Sequence, residues 1–483
     1  MSISIDADTG KLLSYYFGSS DPDKKPVFPP KVQLEQAKPI AEAYIAKMNS
    51  DIKDQLQYDD EYERSYRPAL GGRQQYPLRY NRVVNGVVFP QNSVSVTVDD
   101  EGKVVGYNLQ WDDTLTFPAP GKTITAQQAE EQFKKQAAPE LQYILPYNAK
   151  NITVPMITYQ MNPFTLDAVS GEVVLPNGSK QAGQPQWIPV SDKPLAESPS
   201  APLKLTKEQA VERAVSLFAD SERSEAGERR LPREYGPRLG TTTTVWELQW
   251  SQGDGGGKGP GISATVNSNT GAILQYSKYD FKPVQDADFS SDNAEETYSK
   301  LKEKALQYVK QSLPAYAHEL YGSDLELSGM SKEALAHMNA FNFDFRRKVG
   351  GIFTEYDSVH LSLNRTTGEL QYYGSNLSPF AYPAEHPALL SEDEAKSKLL
   401  SQYKIELQYA LYTKDNGVIP YGGAMPMEKY NVMVAAGEIK PGEKPAPPEV
   451  RLVYALKPTF AVRGPVFLDA VTGNGGTGTT ARS

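Results

Sequence analysis

At 483 residues the chain is long enough for several domains of about 100–150 residues, and its 39% hydrophobic content fits several small cores joined by polar linkers better than one large core. A net charge of −9 with no Lys/Arg stripe argues against nucleic acid as a partner. The absence of cysteine excludes disulfides, thiolate zinc sites and thiol nucleophiles.

The chain opens on strand-like residues, Ile3-Ser4-Ile5, that run into the turn Asp6-Ala7-Asp8-Thr9-Gly10. This start is neither a basic segment nor an apolar one, so no signal peptide is read here. The sequence is expected to be a mature or trimmed fragment. Residues 1–17 form a hairpin without a helix of its own, and 18–30 is a Pro- and Ser-containing linker. Four segments then share one helix-start pattern: Val32-Gln33-Leu34-Glu35-Gln36-Ala37, Ile124-Thr125-Ala126-Gln127-Gln128-Ala129, Leu205-Thr206-Lys207-Glu208-Gln209-Ala210 and Leu390-Ser391-Glu392-Asp393-Glu394-Ala395. In three of them Ser or Thr is followed three residues later by Gln or Glu, a capping box, with an apolar residue just ahead of it. Gln33 replaces the hydroxyl in the first and predicts a weaker cap. A fifth helix is expected from about Asn293 through Tyr298, Leu301, Ala305, Tyr308 and Val309.

Hairpins alternate with these helices. Val94–Val98 leads to Asp99-Asp100-Glu101-Gly102, Ile262–Val266 to Asn267-Ser268-Asn269-Thr270-Gly271, and Val359–Leu363 to Asn364-Arg365-Thr366-Thr367-Gly368. Leu166-Asp167-Ala168-Val169-Ser170-Gly171 and Leu468-Asp469-Ala470-Val471-Thr472-Gly473 are shorter variants. Asp or Asn opens each turn through its side-chain acceptor and Gly closes it with a positive φ. At longer range Tyr80-Asn81-Arg82 matches Phe345-Arg346-Arg347, Phe117-Pro118 matches Tyr382-Pro383, Glu140-Leu141-Gln142-Tyr143 recurs as Glu406-Leu407-Gln408-Tyr409, and Tyr159 answers Tyr454.

The fold class is therefore α+β, a tandem, elongated array of one helix packed on an antiparallel sheet. Modules are placed at 31–118, 122–176, 203–283, 290–383 and 388–474, with linkers at 177–202 and 284–289 and insertions at 222–242, 252–260 and 414–448. The hairpin after Gly473 lacks its returning strand, and 475–483 reads as a disordered tail.

The Ala-centred capped helix followed by strands and an Asp-x-x-Thr-Gly hairpin resembles the PepSY-like modules of the YcdB/YcdC-repeat proteins. Leu166–Gly171 and Phe467–Gly473 are the phrases most similar to that family. The resemblance implies secreted or wall-associated proteins of Gram-positive, spore-forming bacteria, whose members often carry S-layer homology modules. It also implies a relation to propeptides of metallopeptidases, and no catalytic residue carries over from it.

The residues themselves offer little chemistry. None of His318, His337, His360 and His386 stands in a His-Glu-x-x-His spacing, and His360 is expected on a polar strand face. Asp6 and Asp8 suggest a calcium loop, but the twelfth position holds Phe17 instead of a bidentate acid. Gly253–Lys258 lacks the Lys-Ser/Thr step of a phosphate loop, and the Asn-x-Ser/Thr matches at Asn151, Asn177, Asn364 and Asn376 carry little weight. Arg82 and Arg347 are expected to pair with module carboxylates, an anion site being the alternative. Catalytic, cofactor-binding and metal residues are all assigned as none, so the chain is not expected to be an enzyme.

The expected function is that of an extracellular interaction or structural protein, secreted or cell-wall associated, that assembles with itself or other proteins through exposed strands. Modulation of a secreted peptidase is a second reading. Binding of a cell-wall polysaccharide through Trp111, Trp187, Trp246 and Trp250 is a third, with Trp246 and Trp250 favouring the core. No apolar stretch is long enough to span a bilayer.

Overall fold

The structure, a computed structural model, describes residues 2–7, 9–17, 29–66, 74–145, 155–174, 186–197, 201–218, 244–251, 261–279, 293–323, 338–378, 382, 385–412, 449–460 and 465–477. The insertions at 222–242, 252–260 and 414–448, the linker at 284–289, and Asp8, Asn151, Asn177, Gly253–Lys258 and His337 lie outside the described residues.

The first hairpin, β1 (Ser2–Ile5) and β2 (Leu12–Tyr16), leads into helix α1 (Leu34–Met48), β3 (Leu56–Tyr58), the short α2 (Asp60–Ser65), β4 (Gln75–Val84), β5 (Val87–Asp99) and β6 (Val104–Gln110). The second module holds α3 (Ala126–Gln136), β7 (Glu140–Ile144), β8 (Met156–Gln160), β9 (Thr165–Asp167) and β10 (Val173–Val174). After β11 (Trp187–Pro189), the third holds α4 (Lys207–Phe218), β12 (Val245–Ser251), β13 (Gly261–Asn267) and β14 (Ile273–Tyr279). The fourth holds α5 (Ala294–Ser312), β15 (Leu320–Ser323), β16 (Ala340–Val349), β17 (Ile352–Asn364) and β18 (Leu370–Asn376). The fifth holds α6 (Glu392–Leu400), β19 (Tyr403–Tyr412), β20 (Glu449–Pro458), β21 (Val466–Asp469) and β22 (Gly475–Thr477).

The fold is α+β, with helices laid on mainly antiparallel sheets. The expected caps form. Thr125 Oγ1 accepts from Gln128 N at 3.1 Å while Gln128 Oε1 accepts from Thr125 N at 2.8 Å. Thr206 with Gln209 and Ser391 with Glu394 repeat the exchange. The fifth expected helix is α5, which buries Tyr298, Leu301, Ala305 and Val309 on one face. All six hairpin turns form as read. Asp6, Asp99, Asp167, Asn267, Asn364 and Asp469 each accept backbone N–H bonds within the turn, and the closing glycines have φ between 65° and 83°. The last hairpin is closed by β22, so the returning strand is present and residues 475–477 belong to a sheet.

Four of the six turns also lock a helix in place. The residue after the opening Asp or Asn accepts, through its carbonyl, the N–H of the apolar residue ahead of the helix cap: Asp100 from Val32, Ala168 from Ile124, Ser268 from Leu205 and Ala470 from Leu390, at 2.8–3.1 Å. Its own N–H is spent on the residue two before an aromatic of the neighbouring strand, Ser268 on Thr244 and Ala168 on Leu452. An aromatic of that strand then donates to the carbonyl of the same pre-cap residue: Tyr76 to Val32, Tyr454 to Ile124, Trp246 to Leu205 and Tyr159 to Leu390, all at 2.7–2.9 Å. Buried backbone groups have to find partners, and this bracket satisfies both groups of one residue.

The chain divides into two compact units that do not follow the sequence blocks. Unit 1 comprises residues 1–138, 162–181 and 396–463; unit 2 comprises 139–161, 182–395 and 464–483. In unit 1 the sheet runs β1-β2-β6-β5-β19-β20-β9-β10, with β4 on β5 and β3 on β4. In unit 2 it runs β12-β13-β14-β18-β17-β7-β8-β21-β22, with β16, β15 and β11 branching from β17. The blocks 122–176 and 388–474 are thus not self-contained. Each gives its central hairpin, β7–β8 or β19–β20, to the other unit, and the two hairpins dock in the same register: Gln142 pairs with Phe353 and Gln408 with Val88, both in parallel. The physical reason lies in the connections. Only residues 137–139, including Pro139, separate α3 from β7, and only 401–402 separate α6 from β19. So short a hinge cannot turn the strand back under its own helix, and short hinges favour exchange. Where the helix-to-strand connection is long, as between α4 and β12, the strand stays with its helix.

The cores are also larger than one per block. In unit 2, Ala210, Ala214 and Leu217 of α4 and Tyr298, Leu301 and Val309 of α5 share one continuous core with Val266, Tyr276, Phe343 and Tyr373. In unit 1, α1 packs Ala37, Ala41 and Ile45 on Leu78, Val94, Val96 and Tyr107. Val174, Ala410, Tyr412 and Val453 form a small cluster of their own.

The exchange is open to a direct check. Thr165 of β9 stands opposite Ala455 of β20, within disulfide reach for paired strands. With no native cysteine present, a Thr165→Cys/Ala455→Cys variant is expected to form one disulfide on mild oxidation, read by mass spectrometry. Two free thiols in the folded protein would mean that β9 pairs with the hairpin of its own block.

Candidate interaction surface

Two features remain once the helices, turns and cores are accounted for: a buried ion cluster at the bend of the long strands, and an apolar sheet edge.

The bend lies where β5 and β17 change neighbours. The register shifts at Asn81/Arg82 on β4 and at Arg346/Lys348 on β16. One half of each long strand pairs with β6 or β18, and the other half meets the incoming hairpin. At this bulge in unit 2, Arg347 is buried. Its Nε donates to Glu319 at 2.8 Å, and its Nη1 donates to Asp357 at 2.9 Å and to the Ser378 carbonyl at 3.3 Å. Asp357 also accepts from Ser378 N at 2.7 Å, Ser378 Oγ at 3.0 Å and Tyr382 Oη at 3.3 Å. Burial pushes the Asp357 carboxyl up, against the pull of Arg347 and the Ser378 donors. Burial likewise opposes the Arg347 charge, and Asp357 and Glu319 more than offset it.

The unit 1 counterpart, Arg82, donates through Nη1 to Asn92 Oδ1 and the Asp112 carbonyl, both at 3.0 Å. Trp111 and Phe117 lie 4.6 and 4.9 Å from its guanidinium. With an amide in place of the acid, burial lowers the Arg82 pKa, and its Nε has no hydrogen-bond partner among the described residues. The expected pairing with a carboxylate is therefore seen at Arg347 and not at Arg82, where an amide and a backbone carbonyl take its place. Both sit at the bulge beside aromatic rings, Arg347 buried and Arg82 half-buried.

The other sequence candidates fall as follows. His360 Nδ1 faces Asp344 across the β16–β17 pair, and its Nε2 lies 3.0 Å from Ser358 Oγ. The order Ser358–His360–Asp344 is that of a hydrolytic triad, and separation along the chain hid it from sequence reading. It lies on an open sheet face, and the flanking backbone is engaged in ladders on both sides, Ser358 with Arg346 and Asn376 and His360 with Asp344 and Gly374. His318 Nε2 is 3.9 Å from Glu319, and His386 Nδ1 is 3.0 Å from the Pro387 carbonyl. Asp6 Oδ1 takes Thr9 N and Thr9 Oγ1, both at 2.7 Å, as a turn residue does. No group of three or more His, Asp or Glu among the described residues is placed to hold a metal ion. The tryptophans form no exposed row. Trp111 stacks beside Arg82, Trp187 beside Phe353 at 5.2 Å, and Trp246 and Trp250 pack on the unit 2 core.

The second feature is the β1–β2 hairpin. β2 pairs with β6 as β14 pairs with β18: Tyr15 stands opposite Tyr107 as Tyr276 stands opposite Tyr373. Ile3 and Ile5 of β1 thus correspond to Ala264 and Val266 of β13. In unit 2 those two are buried, 2% and 0% exposed; Ile3 and Ile5 are 51% and 59% exposed. Burying a side chain of this size is worth roughly 1.5–3 kcal/mol, so the pair is an unused source of binding energy. Sequence reading found this hairpin and its unpaired edge. It could not foresee that the apolar face would also stay open, because a period-two pattern marks a face for burial without naming what covers it.

The family described as "YcdB, YcdC repeated domain" matches residues 1–111 and 233–376. The chain belongs to the YcdB/YcdC-repeat family. The two matches end with β6 and β18, so each family repeat joins a leading hairpin to the helix-and-sheet module after it. Among solved structures, the Bacillus megaterium YpeB C-terminal domain is similar over 56% of this chain and 96% of its own length, at 14% identity and a TM-score of 0.29, too loose a superposition to argue from. A search of curated proteins returns no match. No described helix of this YcdB/YcdC-repeat chain is long and apolar enough to cross a membrane.

The bulge fastener gives a stability test. Asp357→Leu leaves Arg347 buried with half its neutralisation gone and is expected to cost about 3–5 kcal/mol. Asp357→Asn, which copies the Asn92 arrangement of unit 1, is expected to cost clearly less. Urea unfolding monitored by circular dichroism checks both, and equal losses would deny the ion pair its fastening role.

Proposed function

We propose that this YcdB/YcdC-repeat protein is a non-catalytic, extracellular interaction protein that assembles through exposed sheet edges, as a cell-surface layer or wall-associated protein would. The observation that carries this reading is β1: an edge strand whose alternate side chains, Ile3 and Ile5, are exposed on the face that its counterpart buries. Exposed apolar edges recruit strands from other chains. The regular use of caps, turn brackets and bulge fasteners supports the same reading, since these devices hold a scaffold rigid.

The test is association with and without the edge. Analytical ultracentrifugation is expected to show a concentration-dependent complex, either of the protein alone or with the surface fraction of the producing cell. The double variant Ile3→Lys/Ile5→Lys should weaken it at least about tenfold, since two buried charges oppose about 3 kcal/mol or more of apolar contact. Unchanged association in the double variant would overturn the assignment to this edge.

A further inference from the structure

The proposed function leaves open what kind of chain β1 accepts, and the internal repeat of this fold specifies it. In unit 2 the counterpart hairpin β13–β14 is covered in three ways at once. β12 pairs along the whole of β13, from Val245 opposite Asn267 to Ser251 opposite Gly261. Helix α4 lays Ala210, Ala214 and Leu217 over the face that holds Ala264 and Val266. The turn residue Ser268 spends its N–H on Thr244, just ahead of β12, and its carbonyl on Leu205, just ahead of α4. Trp246 of β12 closes the bracket on the Leu205 carbonyl at 2.9 Å.

In unit 1 every acceptor group of this arrangement is present and open. Among the described residues β1 has β2 as its one strand neighbour. Ile3 and Ile5 stand exposed where Ala264 and Val266 are covered. Ala7 occupies the place of Ser268, and no described residue takes its N–H or its carbonyl, although the turn around it closes normally, with Gly10 N on the Asp6 carbonyl at 2.9 Å. The strand edge, the apolar face and both backbone groups of the bracket residue are thus unused together, and one ligand answers all of them.

We infer that the β1–β2 hairpin is the acceptor for a half-module from outside residues 1–483: a capped amphipathic helix with an alanine-rich inner face, followed by an antiparallel strand that carries an aromatic donor at its second position. The helix covers Ile3 and Ile5, the strand extends the sheet at β1, and the bracket forms on Ala7. The alanine face matters because Ile3 is bulkier than the Ala264 it matches, so the opposing helix has to present small side chains. A second copy of the chain presenting its own β1 edge would supply the strand but neither the helix nor the bracket.

This inference rests on the edge reading proposed above, and the experiment separates the two. The probe is a synthetic peptide of residues 203–251, the half-module that covers β13, added to the full chain. Hydrogen exchange is read at Ser2–Ala7. The expected result is slowing by at least about tenfold at saturation, lost with Ile5→Asp in the protein or with Ala210→Asp/Ala214→Asp in the peptide. Should the peptide fail to fold alone, a chain with a second copy of residues 203–260 joined ahead of Ser2 gives the same readout in one molecule, together with a higher melting midpoint. Unchanged exchange at Ser2–Ala7 in that grafted chain would overturn the inference. If edge-dependent association of the parent protein nonetheless persists, the partner is a bare strand or a second copy, and the edge reading survives without the half-module.

Discussion

The structure hangs on one small arrangement, the bracket between a hairpin turn and the residue ahead of a helix cap. Its N–H goes to the turn carbonyl and its carbonyl receives an aromatic donor from the adjacent strand, four times over at Val32, Ile124, Leu205 and Leu390. A helix of this length does not hold its place on a sheet through propensity alone. The bracket fixes where the helix begins and which strand it follows, and the alanines on its inner face then allow a close approach. The turn glycines serve the same contact: at Gly171 and Gly271 a side chain would press on Ile124 or Leu203, besides being strained by the positive φ.

Given the bracket, the long strands have to do two things at once. One half of β5 or β17 carries the local module; the other half receives a hairpin from a distant part of the chain. The bulge at Arg82 and Arg347 makes that division, with a guanidinium held at the register shift in each unit. The two units solve the charge problem differently, with acids around Arg347 and an amide and ring faces around Arg82. Glu140, just ahead of the parallel contact, adds a two-pronged pair to Arg346 at 2.9–3.0 Å that ties β7 to β16.

The reciprocal hairpin exchange follows from hinge length more than from any special contact. Blocks with long helix-to-strand connections close on themselves, and blocks with two- or three-residue connections do not. A chain built this way already uses strand addition as its internal joint, so presenting one more acceptor hairpin to another polypeptide requires no new device. Among the described residues, β1–β2 is the hairpin whose outer edge and apolar face stay uncovered.

Local chemistry was legible in the sequence. Thr125 with Gln128, Asp167 with Gly171 and the alternation of Val94, Val96 and Val98 each specify a cap, a turn or a buried face within a few residues, because the interacting atoms are near neighbours along the chain. The long-range echoes, Glu140–Tyr143 with Glu406–Tyr409 and Tyr159 with Tyr454, correctly marked equivalent positions. What sequence could not decide is which copy sits beside which. Glu140–Tyr143 and Glu406–Tyr409 are identical, so strand pattern alone cannot assign either to a sheet, and the choice fell to hinge length and three-dimensional reach. The same limit hid the Ser358–His360–Asp344 row and the acids around Arg347, which converge only after distant strands have paired. Burial of an apolar face is likewise a property of what lies opposite: Ile5 and Val266 read alike in sequence, and only the tertiary structure shows one exposed and the other covered.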